Sequence, residues 1–185
     1  MTTADTPIET STTNQPWYAI RTFNCQERKV SHFLSEKGYV HFIPMMMAHD
    51  AKENENKPQR ILVPAVHNLL FVQRKDSQQT FIKEMNECSI PISIFRNPGE
   101  KVLCEIPSID MVELRMLCDP QYKTSIFMSQ GEAEAMIGKE VRVVAGPFKG
   151  STGRLVRKNK QYYFLKAVIG MGVMVRVSRW YCEPI

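Results

Sequence analysis

Any chemistry done by this 185-residue chain would have to come from four histidines, five cysteines and scattered carboxylates. His32, His41, His49 and His67 stand in no HExxH or other metal-ligand spacing. Cys25, Cys88, Cys104, Cys118 and Cys182 are odd in number, widely spread and without a CxxC pair. They read as free thiols in a reducing compartment, with neither a zinc site nor a disulfide framework. No serine has a nucleophile motif around it, and the carboxylates form no paired set on a regular element. The glycine-rich stretch Gly138 to Gly153 must be tested as a phosphate-cradling loop. It fails, because Gly146 and Gly150 are separated by three residues, no Lys follows Gly150, and strand texture comes next. The expectation is a non-enzyme without cofactor or metal.

The elements that would position a binding surface are easier to read. Trp17–Thr22 (WYAIRT) alternates and is aromatic-rich, as a half-buried strand should be, with Tyr18 inward by alternation with Ile20. Asn24 is placed to cap a helix with Glu27 as its capping-box partner, and Val30, Phe33 and Leu34 face a core at helical spacing. Gly38 ends that helix, and Tyr39–Pro44 is a second strand. The polar run HDAKENENKPQ is an exposed hairpin tip. Arg60–Arg74 returns as strand, broken by Pro64 and a His67-Asn68 turn. Ser77–Asn86 is a helix, Ile90–Asn97 a strand and Ile109–Leu117 a helix with only rough periodicity. The order β-α-β-β-α-β-α is a split βαβ sandwich, an α+β fold with helices on one face of an antiparallel sheet.

Charge separates this module from the next. From Gly138 onward ten Lys/Arg stand against Glu140 and Glu183, a net +8, while the rest of the chain carries −3. The basic segment is all-β in texture: five short strands with Gly and Pro between them make a small barrel. The expected organisation is a disordered tail 1–16, a domain 17–118, a linker 119–137 in which Ile126-Phe127-Met128 packs, and a barrel 138–185. Met1–Pro16 holds no basic or apolar leader, and no run reaches the roughly 18 apolar residues of a membrane span. A cytoplasmic monomer with no membrane contact is expected.

In the barrel, Val141 and Val143 share one strand face, Gly146-Pro147-Phe148 makes a tight turn whose ring covers the barrel mouth, and Gly150 and Gly153 permit positive φ. Gly138, Val141, Val143, Gly146, Pro147, Phe148, Gly150 and Gly153 together form GxxVxVxxGPFxGxxG, which resembles the KOW motif. WYAIRT, the basic helix, YVHFIPMM and VPAVHNLLFVQ resemble, in content and order, the N-terminal domain of the NusG family of transcription elongation factors. His67 replaces the family's usual Pro, and Leu69 its usual Tyr. The two resemblances run from Trp17 to Ile185.

The resemblance implies an apolar patch that grips the clamp helices of the largest RNA polymerase subunit, through Tyr18, Phe42, Pro44, Leu69 and Phe71. Phe42 and Phe71 read equally well as core. Arg21, Arg28 and Lys29 would make a polar rim or approach the backbone of upstream or non-template DNA, although a solvated helix face also accounts for Lys29. In the barrel, the loop Val168–Val173 with Ile169 and Met171 corresponds to the tip that meets Rho or a ribosomal protein. The departures imply a specialised paralogue of the UpxY/RfaH-like kind, an antiterminator of long operons. Two rivals remain: an RNA-binding or ribosome-associated KOW protein, and a regulator whose barrel turns helical and masks the first domain. The β-branched and aromatic density of Val141–Val144 and Tyr162–Val168 favours a lasting barrel over the second.

Overall fold

The structure is a computed structural model that describes residues 15–49, 60–97, 99–122 and 125–185. The polar opening up to residue 14 and the hairpin tip 50–59 lie outside the described residues. Strand β1 (Trp17–Arg21) runs antiparallel between β5 (Leu69–Gln73) and β6 (Ser93–Ile94), and β5 also pairs with β2 (His41–Phe42). The result is a four-stranded sheet in the order β2-β5-β1-β6. Strands β3 (Met45–His49) and β4 (Arg60–Pro64) form a separate two-stranded ribbon; of the expected strand Tyr39–Pro44 only His41–Phe42 pairs, and β3 begins just beyond it.

The sheet is covered on both sides. Tyr18, Ile20, Leu70 and Val72 point toward α1 (Glu27–Glu36) and α2 (Gln78–Asn86), where Val30, Leu34, Phe81 and Met85 complete one core. Trp17, Ala19, Leu69 and Phe71 point the other way, into a core built with α3 (Ser108–Leu117) and the C-terminal barrel. Strand β1 is therefore buried from Trp17 to Ile20 without alternation, as a strand covered on both faces must be. Only α1 and α2 occupy the face assigned to all the helices. On α3 the rough periodicity resolves into Met111, Leu114 and Leu117 inward, while Ile109 and Val112 face solvent.

The start of α1 differs from the expected capping box. Asn24 and Cys25 both take left-handed backbone, at φ 55° and 53°, and the helix begins at Glu27 with no side-chain cap. Glu27 instead turns inward, buried, and accepts a hydrogen bond from the amide of Asn68, itself left-handed at φ 61° in the β4–β5 turn. Helix α2 keeps the expected start, with Ser77 Oγ accepting from the Thr80 amide at 3.2 Å.

The barrel has six strands rather than five. Strands β8 (Lys139–Val143), β9 (Thr152–Lys158), β10 (Gln161–Val168), β11 (Met171–Arg176) and β12 (Cys182–Pro184) arise from the expected segment. The sixth, β7 (Ile126–Ser129), comes from the stretch read as linker and pairs with β11, giving the order β12-β8-β9-β10-β11-β7. A capping box of Ser129 and Glu132 then starts α4 (Gln130–Ala135). The Arg154 guanidinium closes its far end by donating to the carbonyls of Ala133 and Met136, both at 2.7 Å.

Gly146 and Gly150 take positive φ, 84° and 96°, but Gly153 does not. Its role is close approach: a Cβ there would lie 2.5 Å from the Leu165 carbonyl oxygen and 2.9 Å from the Phe164 ring. Gly153→Ala is therefore expected to cost about 1–3 kcal/mol, read as a lower urea midpoint at unchanged m-value.

Candidate functional site

The sequence-predicted contact residues do not form one exposed patch. Tyr18 is fully buried beneath α2, stacked on Phe81 at 4.9 Å, with its hydroxyl donating to Glu105 at 2.7 Å. Burial first, and then Glu105, pushes that hydroxyl's pKa up to about 12. It is a core residue on the opposite side of the sheet from the others. Pro44 is buried too, its carbonyl accepting from the Ala65 amide at 2.8 Å between the sheet and the ribbon.

Phe42, Leu69 and Phe71 do lie together on one sheet face, but it is a covered one. Leu69 is 3% exposed and Phe71 fully buried; Phe42 is half-buried, 6.5 Å from the Phe71 ring, with the Arg115 guanidinium 5.7 Å from its own. The cover is the barrel. Val168 and Met171, at the two ends of the β10–β11 turn, join Leu69 and Phe71 in one apolar cluster, with Ile169 packed against it. At Gly170 a Cβ would come within 2.8 Å of the tip of the Leu69 side chain, and the left-handed backbone of the turn, φ 95°, itself favours glycine. The barrel tip expected to meet an outside partner is spent on the chain's own first domain.

A buried ionic clasp fixes the same interface. On β10, Phe164, Lys166 and Val168 share one face by alternation. Lys166 is 6% exposed, and its ammonium donates to Asp110 at 2.7 Å, Glu113 at 2.5 Å and the Thr152 carbonyl at 3.2 Å. Asp110 and Glu113 are three apart on α3, hence on one helical face. Phe148 extends the contact: it is buried in the same apolar cluster, its ring 4.9 Å from that of Tyr122, which lies between α3 and β7. Sequence patterning singles out none of Lys166, Asp110 and Glu113; the one available signal is an acidic i,i+3 pair on a poorly amphipathic helix.

The basic residues separate. Arg21 ends β1 with its guanidinium 5.1 Å from the Phe95 ring, whereas Arg28 donates to the Leu62 carbonyl at 3.1 Å, tying α1 to the ribbon. Arg28 and Lys29 line a cavity with Cys25, Glu27 and His67. The metal-ligating atoms of those last three lie within 4.8 Å of one another, a grouping that linear spacing does not reveal. Glu27 is already engaged by the Asn68 amide, and two cations line the same cavity, so the group reads as a turn clasp rather than a cation seat.

Burial alone would depress the Lys166 pKa, but hydrogen bonds from Asp110 and Glu113 and their charge outweigh it, and the net shift is upward. A cation raised by docking favours docking fully below the ordinary lysine value of 10.5 and loses that contribution as pH climbs through the raised value. Calorimetry should therefore show both domains unfolding together throughout the neutral range, and separating only in strong alkali. Lys166→Met, which strands two carboxylates, should weaken docking by about 3 kcal/mol and split the transition at neutral pH.

Two family models match separate segments of the chain. The family described as transcription termination factor NusG matches residues 15–115, and the KOW motif matches residues 137–169. No curated protein matches the chain. Among solved structures the chain is similar to NusG of Thermotoga maritima, from work on domain interaction in that protein, at 14% identity and a TM-score of 0.47, over 92% of this chain and 97% of that one. NusG proteins are non-enzymatic transcription elongation and antitermination factors that bind RNA polymerase, and other factors through KOW. Because the NusG family match spans the four-stranded sheet, α1, α2 and most of α3, more than half of the chain, and the KOW motif covers β8 to β10 of the barrel, this chain belongs to the NusG family.

Proposed function

We propose that the chain is an elongation and antitermination factor that grips RNA polymerase with the sheet face carrying Phe42, Leu69 and Phe71, and that its own barrel masks this face until it is displaced. The observation that supports the reading is the covered apolar set itself. Two aromatic rings and a leucine on a rigid sheet suit the centre of an interface with a helix pair, here the clamp helices of the largest polymerase subunit. Pro44, buried between the sheet and the ribbon, and Tyr18, in the core on the opposite side of the sheet, would hold that face in shape rather than touch the partner.

The barrel tip would then serve two contacts in turn. While docked, Ile169 and Met171 bury Leu69; once released, they offer the same apolar surface to a ribosomal protein or Rho. Arg21, Arg28 and Lys29 stand exposed for phosphate contact with upstream or non-template DNA. Specialisation for long operons, of the UpxY/RfaH-like kind, completes the proposal. The strands of the barrel are paired throughout as sheet, so masking here needs only rigid-body docking and no change of fold.

The test is retention of purified bacterial RNA polymerase by the full chain and its variants. If the docked state dominates, Lys166→Met should tighten apparent binding roughly tenfold by raising the competent fraction. Leu69→Glu should abolish retention in either background. Equal retention by wild type and Lys166→Met, with the domains shown to be separated in the variant, would remove the masking element. Retention unaffected by Leu69→Glu would move the grip elsewhere.

A further inference from the structure

A cavity of about 190 Å³ opens between the β3–β4 ribbon and the connection that leads from α3 to β7. Met45 and Met47, which share one face of β3 by alternation, line it from the ribbon. Cys118, Tyr122 and Phe127 line it from the other side, the first buried and the two rings half-buried. None of Met45, Met46 and Met47 belongs to the apolar cores, so this run of three methionines has no part in holding the domains together. None of Phe42, Leu69 and Phe71 lines the cavity, which is therefore separate from the covered sheet face. An apolar cavity of about 150 Å³ takes up a benzene ring. The space here suits one aromatic ring or one branched aliphatic chain, and is too small for a peptide.

Two opposite charges border the same cavity without meeting each other. Arg60, the first residue of β4, is exposed and forms no ion pair among the described residues. Asp119, half-buried, accepts only from its neighbour Gln121, from the amide at 2.9 Å and the side chain at 2.7 Å. A guest without charge would leave both groups unanswered. An anion would be repelled by Asp119, and a cation by Arg60. A zwitterion answers both. The size of the cavity requires its two charges to lie close together, and the thioethers and rings require an apolar tail. An α-amino acid, with ammonium and carboxylate on one carbon, meets all three requirements.

We infer that this cavity binds one apolar α-amino acid. Its carboxylate meets the Arg60 guanidinium, its ammonium meets the Asp119 carboxylate, and its side chain lodges among Met45, Met47 and the rings of Tyr122 and Phe127. Methionine walls repack around guests of different shape, so aromatic and aliphatic side chains are both accepted. The position gives the ligand a structural consequence. One wall belongs to the ribbon of the first domain and the other to the connection that carries the barrel strand β7, so a bound molecule touches both. Occupancy therefore ties the two segments together and stabilises the folded chain. The inference stands independently of the polymerase reading, because no residue of that grip takes part.

The experiment is isothermal titration of the full chain with L-phenylalanine, L-leucine and L-methionine at millimolar concentration. Two singly charged analogues accompany them: phenylpropionate, which lacks the ammonium, and phenethylamine, which lacks the carboxylate. The amino acids should bind saturably and raise the midpoint of thermal unfolding. L-phenylalanine should bind about tenfold more tightly than either analogue, the usual worth of one hydrogen bond to a charged group. Arg60→Gln should erase its advantage over phenethylamine, and Asp119→Asn its advantage over phenylpropionate, each leaving the other preference in place. A merely structural role for either residue would not produce that crossed pattern. Arg60 is exposed, and asparagine at position 119 keeps an acceptor for the Gln121 amide, so circular dichroism should be unchanged in both variants. Were either to misfold, the ligand series on the unaltered chain would still decide. No saturable binding of any of the three amino acids overturns the inference, as does equal affinity for L-phenylalanine and its two analogues.

Discussion

An ammonium group almost removed from water holds the two halves of this molecule in register. Lys166 on the barrel could not remain charged at 6% exposure unless Asp110 and Glu113 of the first domain met it. With the Thr152 carbonyl, they take all three of its protons. The clasp is directional, and so it fixes how the barrel sits more than how strongly it sits. Apolar contact supplies the rest of the attraction. Given that seating, the β10–β11 turn rests on Leu69, with Gly170 at the point of closest approach.

The same constraint explains the sheet. Strands β1 and β5 are apolar on both faces because each face has a cover, α1 and α2 on one side and α3 with the barrel on the other. A first domain standing alone would expose Leu69, Phe71 and part of Phe42, an apolar surface that a monomer rarely leaves open unless it binds something. Here the same surface is satisfied within the chain. An interface closed by one buried cation and one apolar turn is of the kind that a competing partner can open.

Much of this is legible in the residues. The 3.6-residue pattern of α1, the helix that starts at Ser77 and the GxxVxVxxGPFxGxxG run each carry a local physical cause, and each appears where the sequence puts it. The departures share a different character. Asn24 does not cap α1 because a distant amide, that of Asn68, claims Glu27. The 119–137 stretch looks like linker because β7 has only four residues, and its partner β11 lies more than forty residues later. Ile109 and Val112 mislead because α3 buries Glu113 and half-buries Asp110 beside its leucines, which blurs the apolar stripe. Tyr18 is inward as its alternation with Ile20 has it, but so are Trp17 and Ala19, because β1 is covered on both faces, and the contact role implied by the family would need Tyr18 at the surface. Gly153 is required to be glycine, but for close approach and not for a positive φ. In every case the deciding contact is distant in sequence and invisible to periodicity.

Function therefore turns on whether the barrel really rests on the Leu69–Phe71 face in solution. The most direct measurement is methyl NMR of the full chain, looking for nuclear Overhauser contacts between the Leu69 methyl groups and the Gly170 α-protons. The docked arrangement predicts strong cross-peaks between them, together with shifted Val168 and Met171 methyl signals relative to a chain carrying Lys166→Met. Absence of those cross-peaks, with Val168 and Met171 signals identical in the two proteins, would contradict it and leave the sheet face permanently open.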